Sequence, residues 1–76
     1  MSLPSKLRQR VDRLFEVLEL NPWPARSYDL RRLEGVSFDG YRVHIGSFRV
    51  VYAVDQENKV VIILKVEKRA SAYRDL

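Results

Sequence analysis

The sequence predicts an α+β fold, with one amphipathic helix packed on a three-stranded antiparallel sheet and a short C-terminal tail or helical turn. Three observations lead there. Apolar residues Leu7, Val11, Leu14, Phe15 and Leu18 recur at spacings of three and four near the start, the period of a helix with one buried stripe. β-Branched and aromatic residues alternate with polar ones on both sides of Gly46-Ser47, the mark of a hairpin. A further apolar run, Val60 to Val66, follows a polar loop and supplies a third strand.

The helix opens at Pro4, whose missing N–H costs nothing in a first turn, with Ser2 or Leu3 as cap. Its end falls at Leu20 or Asn21, because Pro22 disfavours helical dihedrals in the residue before it and Pro24 repeats the signal. Lys6, Arg8, Arg10 and Arg13 fill the polar side of the first half, against the preference of a helix dipole for acids there; a solvated face is the favoured reading. Asn21 to Asp29 is a connector in which Trp23 and Tyr28 cover one end of the core. Leu30 to Gly35 reads as the start of a strand or as a short turn.

The hairpin organises the rest. Glycine at the first position of a two-residue loop suits a type II′ turn, which needs a positive φ there. With Gly46-Ser47 as the loop, Ile45 faces Phe48, His44 faces Arg49, Val43 faces Val50 and Arg42 faces Val51. Alternation then gives Tyr41, Val43, Ile45, Phe48, Val50 and Tyr52 to the core side, and Arg42, His44 and Arg49 to the other. Cations set so close repel one another, and an anion would relieve the repulsion. The second strand runs on to Val54, and Asp55 to Lys59 makes a polar loop. In the third strand Val60, Ile62, Leu64 and Val66 are assigned to the core and Lys65 to the face of Arg49. The tail from Glu67 is too short for a stable isolated helix.

At 76 residues the chain is expected to form a single domain, 1–76, and so small a domain buries only about 60% of its unfolded surface. Lysine and arginine number 14 against 10 acids, and arginine, the better phosphate reader, supplies most of the positive charge. Such a balance suits nucleic acid or an acidic protein. There is no cysteine, hence no disulfide framework, no thiolate chemistry and none of the thiolate ligands usual in structural zinc sites. The longest apolar run, Val60 to Leu64, is far below the ~20 residues of a membrane helix. No membrane partner is expected, and the default location is the cytoplasm.

A helix opening Leu-Pro-x-Lys-Leu, then Asn-Pro, Leu-x-x-Leu-x-Gly, Tyr-Arg-x-His-x-Gly-x-Phe-Arg-x-x-Tyr and a closing Lys-Arg-x-x-x-Tyr span Leu3 to Tyr73. This series resembles the RelE/ParE toxin superfamily of type II toxin–antitoxin systems, and within it the RelE branch. The resemblance implies a small antiparallel sheet packed on helices, and cleavage of messenger RNA in the ribosomal A site with no metal and no cofactor. It implies a cognate antitoxin, the ribosome and mRNA as partners. Members ordinarily carry a strand and a helix ahead of the helix seen here. A shortened fold of this kind exposes a sheet edge, so pairing with the antitoxin or a homodimer through that edge is expected.

Matched by motif, the family's basic second-strand positions fall on Arg42 and His44, its third-strand arginine on Arg49, and its C-terminal pair on Arg69 and Tyr73. Attack of a ribose 2′-hydroxyl on its own phosphate needs a base, cationic donors for the phosphorane and an acid for the leaving 5′-oxygen. His44 takes the base role, because imidazole accepts a proton near neutrality and arginine hardly does; neighbouring guanidiniums favour its neutral form. Arg49 clamps the scissile phosphate and Arg69 is acid or second clamp. Tyr73 stacks on a base or orients the ribose. Arg42, Lys65 and Lys68 hold the RNA backbone. Two other readings compete: a ParE-like inhibitor of DNA gyrase with no RNA chemistry, and a catalytically inactive relative kept as a binding module.

Overall fold

The computed structural model describes residues 4–68, in the order α1 (Ser5–Leu20), β1 (Asp29–Arg32), β2 (Gly40–Ile45), β3 (Phe48–Asp55) and β4 (Val60–Lys68). The four strands form one antiparallel sheet in that same order. One helix on an antiparallel sheet is the expected class, but the sheet has four strands where three were expected. The extra one is β1, the segment that read equally as strand or turn. Its four residues, Asp-Leu-Arg-Arg, hold one apolar side chain and are mostly exposed. An edge strand with so little to bury leaves hardly any alternation to detect.

α1 begins one residue later than expected, with Pro4 as its N-cap in an extended conformation. It ends at Leu20, where the Asn21 N–H still reaches the Val17 carbonyl. The periodic stripe is the core side: Val11, Leu14 and Leu18 are buried, and Leu7 and Phe15 pack against them. From the sheet they meet Val43, Ile45, Val50, Tyr52 and Val54. Tyr52 anchors the connector as well. Its ring is wholly buried and lies 5.6 Å from that of Tyr41, while its hydroxyl donates to the Pro22 carbonyl at 2.6 Å. Burial pushes that phenol well above the ordinary tyrosine range. Tyr28 packs on the core, as expected, whereas Trp23 stays 40% exposed.

The hairpin register is the one the turn dictates: Arg42 pairs with Val51, Val43 with Val50, His44 with Arg49 and Ile45 with Phe48. Gly46 has φ +58° and Ser47 has no positive φ, as a type II′ turn requires.

The core assignment on β4 needs correction. A bulge lies between Val51, which faces Lys65, and Tyr52, which faces Ile63, so Leu64 is an extra residue without a partner. One extra residue shifts the alternation by one. Ahead of the bulge, Val61 and Ile63 therefore take the helix side, while Val60, Ile62 and Leu64 are 46%, 46% and 48% exposed. Val66, beyond it, faces Val50 and packs on the core as expected. β4 also runs two residues past the expected end, which brings Glu67 and Lys68 into the sheet.

Candidate functional site

Alternation along each strand sends one set of side chains away from α1, and the register lines that set up in rows across the open face. The row nearest the hairpin turn is Asp29, His44, Arg49 and Glu67; the next is Arg31, Arg42, Val51 and Lys65. His44 and Arg49 are therefore direct cross-strand neighbours, with Arg42 two residues back from His44 on the same face. Their side chains are 18% and 20% exposed, covered enough to hold a fixed geometry yet open to a ligand.

The cations are not left facing one another. Asp29, arriving on β1, accepts from His44 Nδ1 at 3.1 Å and from Arg31 Nε at 3.4 Å. Glu67, on β4, accepts from Arg49 Nε at 2.6 Å and sits 3.4 Å from Lys65 Nζ. The hydrogen bond from His44, helped by Arg31, holds the Asp29 carboxyl below the usual carboxylate range. That from Arg49 does the same for Glu67, with Lys65 adding to it. The expectation of unrelieved repulsion is thus corrected: acids on the two outer strands flank the pair. Arg42 is different, since its Nε is buried and has no hydrogen bond among the described residues.

Four of the expected site residues share this face: His44, Arg49, Arg42 and Lys65. Lys68 is not among them. It pairs with Phe48, a core residue, so alternation turns it to the helix side. Arg69 and Tyr73 lie outside the described residues. Sequence reading missed Asp29 and Glu67. Glu67 was within reach, because it lies two residues beyond Lys65, which alternation had placed beside Arg49. Asp29 carried no such mark; it becomes visible only once β1 is known to pair with β2.

Beyond the charged rows the open face turns apolar. Ile62 lies opposite Ala53 and Val60 opposite Asp55, while Phe38 folds over Gly40 so closely that a Cβ there would come within 2.6 Å of its ring. β4 forms one margin of the four-stranded sheet, and no described strand pairs with its outer side. A cavity of about 570 Å³ opens between the end of α1, Trp23 and the start of β4, at the end away from His44 and Arg49. No described helix is long and apolar enough to cross a membrane.

The family model described as the ParE toxin of type II toxin–antitoxin systems, parDE, matches residues 3–73. The chain belongs to the RelE/ParE toxin superfamily. Within it the chain is similar to a Methanocaldococcus jannaschii protein named as toxin RelE1, at 40% identity over 73 residues, 96% of this chain and 80% of the relative. It is also similar to the crystal structure of the archaeal RelE–RelB complex from Pyrococcus horikoshii OT3. That match has a TM-score of 0.80 and 36% identity, and covers 90% of this chain and 78% of the other. The RelE-like fold is thereby established, and membership of the RelE type agrees with the motif run from Tyr41 to Tyr52.

Proposed function

We propose that this RelE-type toxin is a ribosome-dependent mRNA endoribonuclease, kept inactive by a cognate antitoxin. The observation that carries the reading is the direct opposition of His44 and Arg49 on the open face, in a chain whose relatives bear the RelE name. Imidazole and guanidinium side by side match the demands of 2′-hydroxyl attack. The base removes the 2′-proton, and the cation stabilises charge on the phosphorane. A bond forms between the 2′-oxygen and phosphorus, and the bond from phosphorus to the 5′-oxygen breaks. The products are a 2′,3′-cyclic phosphate and a 5′-hydroxyl, whose proton comes from Arg69 or solvent.

Arg42 supports the same reading. A covered Nε donor without an acceptor is costly, and a phosphate oxygen beside His44 would satisfy it. Lys65 adds a long-range attraction for the RNA backbone. Glu67 competes with the phosphate for Arg49, so RNA must displace or share that carboxylate. The antitoxin pairs with the margin of β4, where Val60, Ile62, Ile63 and Leu64 are exposed and no described strand pairs with the backbone.

The test is addition of the purified chain to ribosomes programmed with a defined message, followed by mapping of the message ends. Cuts at codon boundaries support the reading. Intact message together with loss of gyrase supercoiling would establish the inhibitor instead, and neither effect would leave a binding module. Co-expression with the acidic product of a neighbouring reading frame should give a stable complex and abolish the cuts; a homodimer through β4 that excludes that product would contradict the antitoxin assignment.

A further inference from the structure

We propose that Asp29 is a positioning residue for His44: its carboxylate fixes the imidazole with the proton on Nδ1 and so presents Nε2 as the acceptor of the ribose 2′-proton. The inference rests on the endoribonuclease reading above and assigns a task to a strand that the site would otherwise not need.

Hydrogen-bond capacity decides where the ring carries its hydrogen. An ionised carboxylate only accepts, so a bond between Asp29 Oδ2 and His44 Nδ1 at 3.1 Å requires the hydrogen to sit on Nδ1. A neutral imidazole carries one such hydrogen, and Nε2 is then left with its lone pair. Asp29 stays ionised under these conditions because His44 and Arg31 both donate to it. In water a free histidine prefers its hydrogen on Nε2, which would put a donor where the base needs an acceptor. Asp29 reverses that preference.

The charged groups around the ring make the need plain. Asp29 and Arg31 approach from β1, Arg42 from the ring's own strand, Arg49 from β3 and Glu67 from beyond Arg49 on β4. Three guanidiniums, of Arg31, Arg42 and Arg49, thus share the open face with the ring. Among the described residues Asp29 is the carboxylate bonded to the ring, so it turns the nascent imidazolium into half of an ion pair. The register makes this arrangement local and rigid, since Asp29 and His44 are direct partners in the β1–β2 ladder.

A merely structural role would look different. The Asp29 side chain is 54% exposed, and exposed ion pairs contribute little to stability. Asp29→Ala should therefore fold normally and lose function through the ring alone.

The chain contains a single histidine, so the imidazole nitrogens of the uniformly ¹⁵N-labelled protein give one unambiguous long-range ¹H–¹⁵N pattern. The parent's neutral ring should carry its hydrogen on Nδ1, and Asp29→Ala should move it to Nε2. In single-turnover cleavage of ribosome-bound message, Asp29→Ala should slow the cut about 10–100-fold, less than the roughly 10²–10⁴-fold that a whole general base supplies, because the imidazole itself remains. Its affinity for the programmed ribosome should hold within about threefold, because exposed pairs add little to binding. Asp29→Glu should recover part of the rate. An unchanged tautomer in Asp29→Ala, or an inactive His44→Ala beside an Asp29→Ala that cuts at the parental rate, would overturn the role of Asp29 alone. A parent that cuts no message on programmed ribosomes would overturn the endoribonuclease reading itself, and with it any catalytic use of this pair.

Discussion

Glu67 lies directly across the sheet from Arg49, and its Oε2 accepts the Arg49 Nε hydrogen at 2.6 Å. The guanidinium assigned to the scissile phosphate is therefore already engaged by a carboxylate in the free protein. Binding RNA exchanges one anion for another at the same donor. Glu67→Gln should make that exchange easier. Affinity for a short RNA, measured by fluorescence anisotropy at fixed salt, should rise about two- to fivefold, the scale of a partly exposed charge pair. Weaker binding by this variant would show that Glu67 positions Arg49 instead of competing for it.

The Tyr52 hydroxyl is the connector's tie to the core, and Tyr52→Phe removes it while keeping the ring. Losing one such bond and leaving the Pro22 carbonyl without its donor should cost about 1 kcal/mol. For a domain of this size that lowers Tm by about 4–8 °C. Thermal unfolding followed by circular dichroism checks it; an unchanged Tm would mean that the packing of Pro24 and Tyr28 holds the connector without this bond.

Acid should destabilise the fold. Hydrogen bonds from His44, Tyr41, Asn58 and Arg49 hold the carboxyls of Asp29, Asp39, Asp55 and Glu67, respectively, below their ordinary ranges. A depressed folded-state value means that the unfolded chain binds protons first, so the stabilisation is complete above the ordinary carboxyl range, 3.8 to 4.5 here. It is lost as pH falls through and below that range. Urea midpoints should thus be level above about pH 6 and decline below about pH 4.5. A midpoint that rises on acidification would contradict these pairings.

The turn that aligns the site is sensitive to its first residue. Gly46 has φ +58°, while an added Cβ would meet only the flexible end of Arg10, Nη1 at 3.2 Å, and Leu7 Cδ1 at an ordinary 3.5 Å, so the strain is in the backbone. Gly46→Ala should cost about 1–2 kcal/mol from the left-handed conformation, and should slow cleavage as the His44–Arg49 register loosens. Parental stability and rate together would show that the turn tolerates a side chain.

The hairpin was legible because three constraints agreed on it: a glycine that fixes the turn, a period-two pattern on both arms, and a buried face that penalises any slip. The helix was legible for a similar reason, with five apolar residues on one stripe. β1 and β4 lacked that agreement. β1 has a single apolar residue, so its pairing is set by β2 and not by its own pattern. β4 is apolar on both sides from Val60 to Leu64, and no residue in that run announces that Leu64 is the bulge. The same two strands deliver Asp29 and Glu67, so these acids were not foreseen, while the turn alone places Arg42, His44 and Arg49 together on the open face. A residue whose place depends on the pairing or the end of an edge strand inherits that strand's poor legibility.

The central claim is that His44 and Arg49, opposed on one face, cut RNA. The measurement that tests it most directly is the single-turnover rate of message cleavage on programmed ribosomes by the parent, His44→Ala and Arg49→Ala, with the binding of each to the ribosome measured alongside. Each variant should bind within about threefold of the parent yet cut about 10²–10³-fold more slowly, the loss expected when a base or an oxyanion donor is removed. Parental cleavage rates in both variants would contradict the account.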